Sequence, residues 1–210
     1  MPSRFAAAAL LLVLLAGCAA IPTPFSNQSP STAAAAAPTG SGAPGTVDPR
    51  IPALVSAGTK PLAGAAVAAY MTSQEQELHT QLDGKGVSIT RSGNQIVIDV
   101  PVDVAFDLGK TKLKPGIDGT LASIGLILKH FNQTIVDVYG YTDSQSPASA
   151  GKDLSQKRAV AVATILTNQG VDQSRFYIEG RGPADPIAPN TTDAGRAQNR
   201  RIDIQISPVT

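Results

Sequence analysis

Apolar positions follow two periods along the second half of this chain. Val67, Met71, Leu78 and Leu82 recur at intervals of four and seven, which is one face of a helix, and Gly84 stands where a helix C-terminus favours glycine. Two strands are predicted over Val87–Arg91 and Gln95–Val100, with Ser92-Gly93-Asn94 as the turn between them. After Pro115 the helical period returns in Ile117, Leu121, Ile124 and Leu128, although Gly119 and Gly125 each weaken that helix by roughly 1 kcal/mol. A β-branched strand is predicted over Ile135–Tyr141, a second helix over Asp153–Asn168 closed by Gly170, and a strand over Arg175–Glu179. Ile202, Ile204 and Ile206 alternate as a last strand. The expected order is β-α-β-α-β-β, an α+β sandwich with helices on one face of a mixed sheet.

Residues 86–208 therefore form the expected folded domain, and residues 61–85 a helical segment before it. Leu62 to Met71 is almost wholly apolar but too short to cross a bilayer. It reads as a helix packed on the domain, with self-association or membrane contact as the alternative. Residues 18–60 are rich in Ala, Pro, Ser, Thr and Gly, and no charge occurs from Ala19 to Thr46. Such a composition buries too little surface to fold, so a disordered tether is expected. A flexible tether of about 40 residues spans roughly 35 Å.

The first 17 residues read as a targeting segment. Arg4 precedes the apolar run Ala6–Ala16, which ends in Leu15-Ala16-Gly17-Cys18. That string resembles a bacterial lipobox, which implies a lipidated Cys18 at the mature N-terminus. Ala19 next to it, by resemblance to the sorting rule of enteric-type bacteria, implies the outer membrane with the domain facing the periplasm. Cys18 is the single cysteine, so no intramolecular disulfide staples the fold.

Of the 210 residues 16% are charged and 4% aromatic, and the net charge is +1. No basic stripe suggests nucleic acid. His79 and His130 are the two histidines, on separate segments, so no metal cluster or cofactor is indicated. Ser155 has no nearby histidine and no Gly-x-Ser-x-Gly elbow occurs, which argues against an enzyme.

Arg158 is the most informative charge. It lies four residues after Leu154 and four before Val162, on or beside the buried stripe of its helix. A buried guanidinium needs a partner. Asp143 leaves the preceding strand at the loop feeding that helix, so the two are expected to face each other across a shallow pocket. Spacing alone leaves a structural ion pair and a ligand site equally open.

Three blocks bear on that choice: Gly140-Tyr141-Thr142-Asp143, Leu154-Ser155-Gln156-Lys157-Arg158-Ala159 and Asn199-Arg200-Arg201. In this order and spacing they resemble the OmpA C-terminal-like family. The resemblance implies non-covalent binding of peptidoglycan, with Asp143 and Arg158 reading diaminopimelate in a stem peptide. It assigns lesser roles to Thr142, to Phe106 as a pocket wall or plain core, to Leu154 and Ser155 at the helix start, and to Arg200. It also leaves open docking within an envelope assembly, with protein partners or self-association. The family's usual Asn three residues before the helix Leu is Gly151 here, and the loop from Ser144 to Ala150 carries Pro147 and no charge.

The lipobox reading predicts that Cys18→Ser releases the protein from membranes. Intact mass of membrane-extracted wild type is expected to include acyl chains; an unacylated mature N-terminus contradicts it.

Overall fold

The computed structural model describes residues 48–145 and 147–210. Two helices come first, α1 (Arg50–Ser56) and α2 (Ala65–Leu82). A hairpin of β1 (Ser88–Ser92) and β2 (Gln95–Pro101) follows, then the short α3 (Val102–Ala105) and α4 (Pro115–His130). The chain continues through β3 (Thr134–Tyr141), α5 (Ala148–Asn168), β4 (Phe176–Gly182), α6 (Asp193–Asn199) and β5 (Arg201–Pro208). The class is the expected α+β with one mixed sheet, ordered β1-β2-β5-β3-β4. Among the described strands only β3 and β4 pair in parallel. The predicted hairpin opens the sheet, and the order is richer than expected because α1 precedes it, the short α3 follows it and α6 separates β4 from β5.

Strand alternation builds the core. Ile96, Ile98 and Val100 of β2 lie opposite Ile206, Ile204 and Ile202 of β5, which lie opposite Val136, Val138 and Gly140 of β3. The α4 stripe of Ile117, Leu121, Ile124 and Leu128 is buried with them. Each such side chain contributes about 1.5–3 kcal/mol. On α2, Val67, Met71, Leu78 and Leu82 are buried as their spacing predicts. Gln74 shares that stripe, and its amide has no partner among the described residues.

The seat of α5 is what positions the site. A Cβ on Gly140 would collide with the carbonyl of Ser155, and one on Gly180 with the amide nitrogen of Gln156. The helix therefore rests backbone on backbone against β3 and β4, which only glycine permits. Polar bonds lock it there. Ser155 Oγ accepts from the Gly182 amide at 2.9 Å, and Gln156 Oε1 accepts from the Gly180 amide. The strand register shifts between Gly140 and Tyr141, a bulge that leaves the Gly182 amide free for Ser155. Gly125 does similar work on α4, where a Cβ would meet the Gln169 side chain at 2.7 Å.

The other sheet face is polar, and α1 covers one end of it. Leu54 packs with Ile135 and Val209, while Arg50 bridges Asp48 and Asp137, both at 2.7 Å. This corrects the expected tether of residues 18–60, since its last part is helix fastened to the sheet. The reason is Leu54, a buried apolar anchor in a stretch whose composition otherwise looks unstructured. Residues 1–17, Cys18 and the tether up to residue 47 lie outside the described residues.

Asp203 on this face lies opposite Asp99 of β2 and Tyr139 of β3. Burial pushes its carboxyl up to about 6, with the charge of Asp99 adding and the Arg201 guanidinium opposing. A carboxyl raised above its unfolded value destabilises the fold where it is ionised. That penalty, on the order of 3 kcal/mol, is present above pH 6 and fades as pH falls towards 4. Asp203→Asn is therefore expected to raise the melting temperature at pH 7.5, with the gain shrinking by pH 4.5. An unchanged or lowered melting temperature at pH 7.5 contradicts this.

Candidate functional site

The C-terminal end of β3, the loop after α3 and the start of β5 converge on Arg158 of α5. Arg158 is 1% exposed. Its Nε donates to the Lys110 carbonyl at 2.8 Å, and its guanidinium lies 5.3 Å from the centre of the Phe106 ring. Phe106 is itself buried and bridges Leu113 across the loop, so the ring forms a fixed floor. No described residue accepts a hydrogen bond from the two terminal nitrogens of Arg158. Burial pushes the guanidinium down from its usual value; Asp103 and Asp143 oppose that shift, and Arg200 reinforces it.

Asp143 does not pair with Arg158 among the described residues, which corrects the expected facing pair. Its Oδ2 meets Arg200 Nη1 at 2.9 Å, and its Oδ1 accepts from the Gln145 amide at 3.0 Å. Arg200 also reaches Asp103 Oδ2 through Nη2 at 3.0 Å. These carboxylates, Asp103 first, raise the Arg200 guanidinium above its usual value. The physical reason for the exchange is that Arg158 is held from its Nε side by Lys110, whereas Arg200, the C-cap of α6 just before β5, enters between the two carboxylates. The four charges form one cluster of two arginines and two aspartates.

Other expected residues divide. Thr142 donates its amide to the Gly182 carbonyl at 2.8 Å, but its Oγ1 is buried without a partner among the described residues. A Cβ on Gly151 would lie 2.8 Å from that Oγ1, so glycine at this position makes room for the threonine. Leu154 and Ser155 do not open the helix, because α5 starts at Ala148. Pro147 as its N-cap and Ala148 to Gly151 add a turn that the apolar stripe does not reveal. Leu154 is half-buried, and Ser155 is buried on the Gly182 amide. Arg196 bonds the Asn190 carbonyl and Asp193, and Arg201 stacks on Tyr141 beside Asp203, so both are structural.

Sequence reasoning missed Asp103, the Lys110 carbonyl and Asn199. Asn199 is buried and clamps the loop before α6, accepting from the amides of Ile187 and Ala188 and donating to Asn190 Oδ1. Asn190 Oδ1 in turn accepts from the Ser144 amide, which ties this loop to the one carrying Asp143. Asn199 opens the Asn199-Arg200-Arg201 run, which signals it in the sequence; Asp103 has no local signal, since its partner is 97 residues away.

Two clefts elsewhere contain none of these residues. One of about 570 Å³ runs from Ala57 to Arg175, and one of about 630 Å³ lies between α2 and α4. Arg175 spends its donors on the Leu128, Phe131 and Thr134 carbonyls at the end of α4, a structural role.

The OmpA family model matches residues 105–200, which span Phe106, Asp143, Arg158 and Arg200. The chain is 46% identical to the probable lipoprotein YiaD of Escherichia coli K12 over 146 residues, 70% of this chain and 67% of that protein. The chain belongs to the OmpA family. Solved structures share the fold of this OmpA-like domain. A putative MotB-like protein from Desulfovibrio vulgaris aligns with TM-score 0.60 and 25% identity over 68% of this chain and 95% of that one. The cell wall anchor of the T6SS from Pseudomonas aeruginosa aligns with TM-score 0.57 and 27% identity over 64% and 99%.

Proposed function

We propose that this domain binds peptidoglycan non-covalently by reading the free end of diaminopimelate in a stem peptide. The observation that carries this reading is the Arg158 fork, almost wholly buried yet without a protein acceptor among the described residues. A planar guanidinium so placed suits a carboxylate bidentately. Asp143 beside it accepts from an ammonium. One carboxylate and one ammonium are what the free end of diaminopimelate presents, and a lysine-type stem lacks the carboxylate. The role is binding without turnover.

The chain is proposed to be anchored in the outer membrane through a lipidated Cys18, with the domain in the periplasm. Likeness to a probable lipoprotein supports this, and no helix among the described residues is long and apolar enough to cross a membrane. Likeness to a T6SS cell wall anchor supports a second reading, in which the same grip docks a subunit of an envelope assembly.

Asp143→Ala and Arg158→Ala are each expected to weaken binding by about 2–4 kcal/mol, because each leaves a charge without its partner. The double variant should cost less than the sum, since both residues read one end group. Calorimetry with soluble diaminopimelate-type and lysine-type stems measures both effects, and the former should bind more tightly. Folded single variants that bind sacculi like the wild type overturn the assignment.

A further inference from the structure

We infer that Asp103 is a specificity-determining residue, which sets the charge of the site so that it selects a zwitterionic end group over a simple carboxylate. This rests on the proposed binding site around Arg158. Neither the three blocks nor the spacing of the stripe points to this residue.

Arg200 divides its two terminal nitrogens between Asp143 at 2.9 Å and Asp103 at 3.0 Å. Asp103, like Asp143, favours the charged form of Arg158 against its burial. Arg158, Arg200, Asp143 and Asp103 together carry no net charge. A zwitterionic ligand end is likewise neutral, with one pole for Arg158 and one for Asp143.

Without Asp103 the balance changes. Arg200 then has Asp143 as its one carboxylate partner in the cluster, and Asp143 is less available to an ammonium. The remaining groups sum to one positive charge, which favours a ligand bearing a carboxylate and no ammonium. Asp103 acts at the ligand through Arg200 and is therefore a positioning residue. It suits a test by substitution, because its side chain is 54% exposed in the first turn of α3 and supports no core packing.

The experiment is calorimetry with two soluble stem tripeptides, one ending in diaminopimelate and one ending in its analogue with hydrogen in place of the free-end ammonium. Wild type is expected to prefer the zwitterion by at least about tenfold. Asp103→Asn should cut that preference by about fivefold or more, with the des-amino ligand bound as well as before or better. Asp103→Glu should restore part of the preference. Equal weakening of both ligands overturns the inference in favour of a merely structural role, as does an Asp103→Asn variant with unchanged preference. A wild type that binds both ligands equally also overturns it. A folded wild type that binds neither ligand overturns the underlying site instead, and the two failures are thereby told apart.

Discussion

Backbone contact between α5 and the β3–β4 pair is the constraint on which the rest of this domain depends. Gly140 and Gly180 let the helix sit directly on the strands, and Ser155 and Gln156 fasten it by bonding strand amides. Arg158 follows within the same turn and is delivered over the Phe106 ring and under the Lys110 carbonyl. A methyl group on either glycine would lift the helix and carry the guanidinium away from both. The register shift between Gly140 and Tyr141 belongs to the same device, since beyond it the Gly182 amide bonds Ser155 and the Thr142 amide bonds the Gly182 carbonyl.

Burying a guanidinium with no carboxylate in contact is costly, and the protein offsets it only in part. One carbonyl and one aromatic face hold Arg158 from one side. Asp103 and Asp143 act on it from the Arg200 side without contact. The terminal nitrogens of Arg158 are therefore left without an acceptor among the described residues, and Arg158 lines neither of the two clefts. Arg175 shows the contrast. It is as well buried, but carbonyls and the Thr134 hydroxyl meet its donors, and it serves the end of a helix.

Periodicity made most of the fold readable. The α4 stripe, the alternating isoleucines of β5 and the Gly93-Asn94 hairpin lie where the pattern placed them. Elements with little apolar period did not show. Helix α6 is capped by Thr192 and buries only Gly195 and Asn199, and α1 depends on the single anchor Leu54. At the site, Arg158 was readable as a buried charge on a helix face. Its actual partner was not, because a backbone carbonyl leaves no mark in composition. The exchange of Asp143 from Arg158 to Arg200 depends on which strand neighbours which in the sheet, and local spacing carries no such information.

A crystal structure of the domain with a soluble diaminopimelate stem peptide tests the central claim most directly. The account predicts a ligand carboxylate within hydrogen-bond distance of both terminal nitrogens of Arg158 and the ligand ammonium on Asp143. Arg158 Nε should remain on the Lys110 carbonyl, and α5 should keep its seat on Gly140 and Gly180. A peptide bound elsewhere, with the Arg158 fork turned onto a protein carboxylate, would contradict it.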